Sequence, residues 1–364
     1  VAQHPGGRPA TVQDVARAAG VSKATAARAL GNYGSVSPSV QRRVTAAAEA
    51  LGYRPNELAR SVTTGRSHTL GVIVGDIENP YFGLAVRGIT DAARAAGFDV
   101  LLANTSEDVT FEVDAVRVML DRRVDGLLVA PARSDRAEHL QQAHAMRRPL
   151  VLLDRRVLDL PVDSVTVDNA AAAGEMVRHL VGLGHRRVAF LSASDPDAPP
   201  ISSVADRITG FVSALADAGV ADPGRDVRLG ARGPEATARI VRELLARPDR
   251  PTALIASDSL VALSVLRTVR DAGLAVPDEV SLVTFDDSDW TSVTTPPITV
   301  ISQPIYDLGA EAARILVRRI DGDTAGDRER VFSATILHRG SVGPPPTTPL
   351  VPDPIGRTEM RYSR

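Results

Sequence analysis

From residue 68 to about 340, short runs of β-branched and apolar residues recur, separated by longer stretches with helical spacing. The runs LGVIV (70–74), FDVLLAN (98–104), VDGLLVAP (124–131), LVLLD (150–154), RRVAFLS (186–192), TALIAS (252–257) and VSLVTFD (280–286) predict strands. FGLAVRGITDAARAAG and SLVALSVLRTVRDAG are typical of the segments between them and predict helices. Near-continuous apolar strands alternating with helices imply an α/β region of parallel sheets covered on both faces. This region, about 270 residues, is twice the size of one doubly wound unit, so two lobes with a cleft between them are expected. Open parallel sheets bind ligands beyond the carboxyl ends of their strands. The residues to watch are therefore 79–82, Asp154 and Arg155, Ser257 and Asp258, and Asp286 and Asp287.

The first 64 residues have a different texture, rich in Ala and Arg, helical in period and without strand runs. TVQDVARAAG predicts a short helix with Thr11 as its cap, Asp14 completing a capping box, and Val15, Ala18 and Ala19 as its apolar stripe. Gly20 ends it, Val21 turns inward, and Ser22 caps a second helix, KATAARAL. A third helix follows in SPSVQRRVTAAAEALG, capped by Ser37 or Ser39. Two helices joined by a short glycine turn form a helix-turn-helix, whose second helix reaches base edges in the major groove. Lys23, the chain's one lysine, is the first residue of that second helix. There it can donate to a guanine edge or a phosphate, and Arg28 can read guanine through both arms of its fork. The plain alternative is an exposed charge with no role.

Charge sharpens this picture. Residues 1–66 hold nine basic and three acidic side chains, while the whole chain has a net charge of -2. A basic head on an acidic body fits a head that meets a polyanion, although a solvated basic arm would look the same. Cysteine is absent, so disulfides and thiolate chemistry are excluded and a reducing cytoplasm is expected. No run approaches the roughly 20 apolar residues that span a bilayer, and VAQHPGGRPA lacks the pattern of a secretory signal.

VQDVARAAGVSKATAARAL, then VSPSVQRRVTAAAEALGYRPNELARSVTTGRSHTLGVIV, resembles the lactose-repressor (LacI/GalR) family of bacterial transcription regulators. The likeness continues through NPYFGLAVRG, VDGLLVAP, DNAAAAG, LGHRRVAFL, DRITGF, ALIASDSLVAL, VPDEVSLVTFDD and ISQPIYDLG, over residues 9 to 341. It implies a helix-turn-helix head, a hinge helix, and a two-lobed effector unit like the type I periplasmic sugar-binding proteins. The implied division is an arm at 1–8, a DNA-binding domain at 9–54, a hinge and linker at 55–67, and a two-lobed unit at 68–341. Lobe 1 would hold about 68–163 and 291–320, lobe 2 about 164–290 and 321–341, and a disordered Pro-rich tail would follow from 342.

By the same resemblance, Lys23, Ala24 and Arg28 face bases, and Thr11, Ser22, Thr25 and Tyr53 belong to the DNA-contacting set, the last three as phosphate contacts. Asn56, Ala59, Arg60 and Val62 lie in the hinge segment. The family pushes a leucine between central base steps; Val62 stands there, which implies a shallower wedge and a milder bend. Ala26 and Ala27 replace the usual Val-Ser, and Gly31 the usual Asn, so Lys23 and Arg28 would carry more of the readout. The implied partners are a pseudopalindromic operator, a sugar effector and a second copy of the chain.

Ribose-type sugar positions match Asn79, Phe82, Asp154, Arg155, Arg207, Asp286 and Gln303, with Tyr81 beside them, Ser257 where Asn is usual, and Trp290 near the expected cleft. The chemistry is coherent, because carboxylates, guanidiniums and amides together satisfy hydroxyls that both donate and accept. Structural alternatives remain open: Asp154–Arg155 as an ion pair between lobes, Asp286–Asp287 as loop caps, and Trp290 as a half-buried packing residue. Enzyme readings are weaker. Arg155 and Arg207 beside the strand-end carboxylates disfavour a glycosidase acid of raised pKa. GLGHRR puts Arg187 where a dinucleotide fingerprint needs its third glycine. His139 and His144 are five residues apart, and most of the seven histidines read as surface or helix-end residues, so neither a metal nor a cofactor is expected. The competing reading is a sugar-binding or sugar-processing protein with a vestigial head.

Overall fold

The computed structural model describes residues 10–31, 35–53, 66–324 and 329–347. The arm at 1–8, the hinge residues Asn56, Ala59, Arg60 and Val62, and the tail from 348 lie outside them. The chain divides into two compact units, 1–68 and 69–364.

In the first unit, α1 (Val12–Ala18), α2 (Lys23–Gly31) and α3 (Pro38–Ala50) pack around Val15, Ala16, Ala19, Ala26, Ala29, Val44 and Ala48. So many alanines leave little side-chain bulk, so the helices cross closely. The buried stripe of α1 is Val15, Ala16 and Ala19; Ala18, expected inside, is exposed because Ala16 takes the inward position. Gly20 turns the chain at φ +62°, a left-handed angle that suits glycine. Ser37, not Ser39, caps α3.

The second unit runs β1 (Thr69–Val74), α4 (Pro80–Ala95), β2 (Asp99–Asn104), α5 (Val109–Asp121), β3 (Gly126–Val129), α6 (Glu138–Ala145), β4 (Leu150–Leu153) and β5 (Asp163–Val167). It continues with α7 (Asn169–Gly182), β6 (Val188–Leu191), α8 (Ser202–Asp217), β7 (Val227–Arg228), α9 (Gly233–Leu245), β8 (Ala253–Ala256), α10 (Ser259–Asp271) and β9 (Ser281–Phe285). The described elements end with α11 (Asp289–Val293), β10 (Thr299–Ser302), α12 (Ile305–Ile320), β11 (Glu329–Phe332) and β12 (Thr335–Leu337).

These strands form two six-stranded sheets of matching order, β11-β5-β4-β3-β1-β2 and β12-β10-β9-β8-β6-β7. Every pairing is parallel except β10 with β12. The first sheet is covered by α4 and α12 on one face and by α5 and α6 on the other; α9 and α10, and α7 and α8, cover the second. In each sheet the strand order reverses beside the first strand, at β1/β3 and at β6/β8, which is where such sheets open a ligand crevice. Helix pairs pack at glycines. A Cβ on Gly88 of α4 would collide with the Tyr306 carbonyl, and one on Gly309 of α12 with the Ala85 carbonyl.

The sheets correct the expected division. β5 and β11 belong to the first sheet, and β10 to the second, because each pairs across the boundary drawn from sequence. β2 is not covered on both faces: it forms an edge, with Leu101 and Leu102 exposed. Residues 342–347, expected to be disordered, are described, and Gly343 is anchored: its carbonyl accepts from His185 at 2.8 Å and its N–H donates to Ser281 Oγ at 3.1 Å. His185 is fully buried and so is no surface residue, while His139, in the first turn of α6, pairs with the buried Glu112 at 2.6 Å.

Candidate functional site

The head presents the second helix of its motif through local caps. Thr11 Oγ1 accepts from the Asp14 N–H at 3.4 Å while Asp14 accepts from the Thr11 N–H at 3.0 Å, closing the capping box. Ser22 Oγ accepts from the Thr25 N–H at 3.1 Å and lies 2.8 Å from Thr25 Oγ1. A cap of this kind contributes about 1 kcal/mol and fixes where α2 begins. Gln41 of α3 donates to the Ala29 carbonyl at 2.8 Å and pins the two helices. Lys23, Ala24 and Arg28 are exposed on α2, with Ala26 and Ala29 on its buried side. Thr25 and Tyr53 are half-buried, and Tyr53 packs against the head's core.

In the second unit the ends of β1, β3, β4, β6, β8 and β9 face one cleft of about 1300 Å³. Two aspartates mark equivalent corners. Asp154 follows β4 and Asp286 follows β9, with φ of +66° and +71°. Each keeps its N–H in the sheet, Asp154 donating to Val165 and Asp286 to Ile301 at 2.9 and 3.0 Å. A left-handed backbone at a non-glycine residue costs of order 1–3 kcal/mol, and here it turns a carboxylate out of each sheet into the cleft.

Around Asp154, the Tyr81 hydroxyl donates at 3.1 Å and Arg155 Nε at 3.3 Å. Burial, then Asp154, push the Tyr81 phenol well above its ordinary value, so it stays a hydrogen-bond donor at neutral pH. Phe82 meets Tyr81 edge to face at 5.3 Å and lies under Arg155. Burial works against the charge of Arg155, but Glu107 and Asp154 outweigh it and hold the guanidinium above the ordinary arginine value. Asn79 lines the cleft, and its Oδ1 caps α4 by accepting from the Tyr81 N–H at 3.0 Å.

From the second lobe, Arg207 of α8 donates to Asn169 Oδ1 at 2.7 Å and to the Ser257 carbonyl at 2.6 Å, with its guanidinium 3.9 Å from the centre of the Phe285 ring. Asp286 accepts from Gln303 Nε2 at 2.6 Å. Burial, reinforced by the charges of Asp258 and Asp154, raises its carboxyl to about 7 against the opposing pull of Arg207 and Gln303, which corrects the expectation that the neighbouring arginines keep the strand-end carboxylates in their ordinary range. Gln303 does not line the cleft and reaches it only through Asp286; its Oε1 is buried without a partner. Ser257 lines the cleft and turns its hydroxyl to Asp258 at 2.9 Å.

Asn79, Tyr81, Phe82, Asp154, Arg155, Arg207, Ser257 and Asp286 thus converge on one cavity. Trp290 does not: it packs, half-buried, against the second lobe's core, outside the lining. Its helix is held away by a cluster in which Arg339 donates to Asp287 at 2.8 Å and to Thr291 at 2.9 Å. Asp287 belongs to that cluster too, which is a structural role. Sequence reasoning missed Glu107, which lies in the loop after β2 and bonds both arms of Arg155. It also missed Arg156, which links its loop to Asp206 of α8 at 2.6 Å and to Glu329 of β11 at 2.8 Å. Among the described residues no group of three His, Asp or Glu side chains is placed to hold a metal, and no helix is long and apolar enough to cross a membrane.

Comparison with known proteins places this arrangement. Residues 11–56 match the model of bacterial regulatory proteins of the lacI family, and residues 177–342 match the periplasmic binding protein-like domain. The chain is 32% identical over 332 residues to the HTH-type transcriptional repressor CytR of Escherichia coli (strain K12), covering 91% of this chain and 96% of that one. It resembles the lac repressor dimer bound to operator and the anti-inducer ONPF at 25% identity and a TM-score of 0.81, over 92% of this chain and all of the other. A LacI family transcriptional regulator from Enterococcus faecium with bound ribose matches at 27% identity and a TM-score of 0.67, over 76% of this chain and 99% of that one. A capped helix-turn-helix and a paired-sheet unit with a polar cleft, in a chain this similar to a repressor over nearly its whole length, show that it belongs to the lacI family of bacterial regulatory proteins and is a DNA-binding transcription regulator.

Proposed function

We propose that this regulator acts in the cytoplasm as a homodimeric repressor of sugar uptake or catabolism genes, and that a monosaccharide bound between its two lobes controls its hold on a pseudopalindromic operator. The observation that carries the reading is the facing pair Asp154 and Asp286, each turned into one cleft and each flanked by donors: Tyr81 and Arg155 for the first, Gln303 and Arg207 nearby for the second. Carboxylates and guanidiniums so arranged satisfy several hydroxyls at once, while Phe82 and Tyr81 offer ring surface to a sugar's CH face. The relative crystallised with ribose supports the ligand class.

A second copy fits the edge of the first sheet, where Leu101 and Leu102 of β2 and Phe111, Val113 and Val118 of α5 are exposed. Two heads would then occupy successive major grooves. A sugar that favours one relation of the lobes changes operator affinity by its differential binding, about 5- to 150-fold for a coupling of about 1–3 kcal/mol. Lys23 and Arg28 would read bases, and Ser22, Thr25 and Tyr53 would hold phosphates.

Isothermal titration of the full chain with D-ribose, other pentoses, hexoses and polyols tests the cleft. The reading predicts binding by a member of this panel and its loss in Asp154→Asn, which keeps the shape but removes the acceptor charge. Binding unchanged in that variant would place the ligand elsewhere, and no binding by any sugar would remove the sugar from the proposal.

A further inference from the structure

Arg155 has four of its five N–H groups engaged before any ligand arrives. Its two terminal nitrogens donate to the two carboxylate oxygens of Glu107 at 2.6 and 2.7 Å, one of them also to the Pro131 carbonyl at 2.8 Å, and its Nε to Asp154 at 3.3 Å. A guanidinium has five N–H groups, so one remains for a ligand.

The loop that supplies Glu107 is shaped for the purpose. Ser106 and Glu107 are both left-handed, at φ +51° and +60°, and the Glu107 N–H donates to the Gly75 carbonyl at 2.9 Å. Any side chain on Gly75 would collide with the Glu107 carboxylate. Asn104 Nδ2 donates to Ser106 Oγ at 3.1 Å, and Asn104 Oδ1 accepts from the Ile77 N–H at 3.1 Å, which ties this loop to the one after β1.

We propose that Glu107 is a specificity-determining residue of the effector cleft: by occupying the fork of Arg155 it restricts the cleft to neutral polyols and excludes ligands that would place a phosphate or carboxylate there. The proposal rests on the sugar-cleft reading above and deepens it. An unoccupied arginine fork binds an anion through two parallel bonds. Here an anion must first displace Glu107, which would then stand uncompensated near Asp154. The residues lining the cleft include eight carboxyl groups against six guanidiniums, so the cleft has no positive excess. Arg207 is held by the neutral acceptors Asn169 and Ser257 and keeps donors for hydroxyls.

Isothermal titration of the full chain compares D-ribose with D-ribose 5-phosphate, and D-glucose with D-glucose 6-phosphate and D-glucuronate. In the unsubstituted protein a neutral sugar binds at least about tenfold more tightly than its anionic counterpart, as expected for a like charge added to a cleft without cationic excess. Glu107→Gln keeps the side chain's size but frees the charge of Arg155, and it lowers that ratio at least about tenfold. Glu107→Asp retains the charge and the ratio. An anionic sugar bound as tightly as its neutral parent by the unsubstituted protein overturns the proposal, whether or not the variants fold. So does an equal loss of both affinities in Glu107→Gln, which would mean a structural role only. Binding of neither class by the unsubstituted protein overturns the sugar reading itself and this inference with it.

Discussion

Sugar binding should depend on pH through Asp286. Burial raises this carboxyl from its ordinary 3.8 to about 7, a displacement worth about 4 kcal/mol between its two protonation states. The sign follows for stability first. A carboxyl whose folded pKa lies above its unfolded value stabilises the fold fully below the unfolded value, and that contribution is lost as pH rises from about 4 to about 7. Binding runs the other way when ligand hydroxyls donate to the carboxylate, because the ligand then selects the ionised form. Affinity for a neutral sugar should therefore climb with pH up to about 7, by as much as about tenfold per pH unit below that point, and level off above it. The assay is isothermal titration at pH 5.5, 6.5, 7.5 and 8.5, on the unsubstituted protein and on Asp286→Asn. The variant cannot titrate and should give a flat profile of lower affinity. A flat profile in the unsubstituted protein would refute the reasoning, as would an affinity that falls as pH rises.

Three other perturbations follow from the same geometry. Lys23→Ala should weaken operator binding by about 1–3 kcal/mol if the lysine reads a base, with relaxed preference at one position; a uniform loss and a smaller salt slope in anisotropy titrations would make it a phosphate contact instead. Gly309→Ala drives a methyl into the Ala85 carbonyl and should destabilise the second unit by about 1–3 kcal/mol in denaturant melts, whereas an unchanged midpoint would mean that α4 and α12 separate freely. Arg156→Ala removes a half-exposed link between the lobes, so stability should fall by less than about 1 kcal/mol while sugar affinity shifts up to about fivefold and X-ray scattering reports a wider lobe spacing; unchanged scattering and affinity would leave Arg156 without a role in closure.

The legible parts of this fold are those in which the signal is local. Thr11, Ser22 and Ser37 are side chains that bond their own helix starts, so short sequence patterns sufficed to place α1, α2 and α3. The apolar runs of β1, β3, β4, β6, β8 and β9 stand out because both faces of these strands are covered, and their ends point to Asp154 and Asp286. DSVTV at β5 and ERVF at β11 were missed because each mixes polar residues into a strand placed by its partners, β5 lying between β4 and β11, and β11 pairing with β5. The lobe boundary went wrong for the same reason: the crossing of β5, β10 and β11 is a long-range pairing that no local pattern encodes.

Glu107 was hidden among 44 acidic residues, in a loop without periodicity. The one signal for it was Gly75, a glycine at a strand end, where a close approach by another group is a standing possibility. Trp290 was misplaced because nearness in sequence to Asp286 suggested nearness to the cleft, whereas Arg339, from a distant segment, sets the course of that helix.

The measurement that bears most directly on the regulator reading is operator binding by fluorescence anisotropy, with promoter DNA from beside the protein's own gene, in the presence and absence of pentoses, hexoses and polyols. The account predicts salt-sensitive, sequence-specific binding that one sugar changes at least about fivefold, and a response to that sugar that disappears in Asp154→Asn while DNA binding without sugar persists. Sequence-specific binding indifferent to every sugar, or an Asp154→Asn protein that responds as the unsubstituted one does, would contradict it.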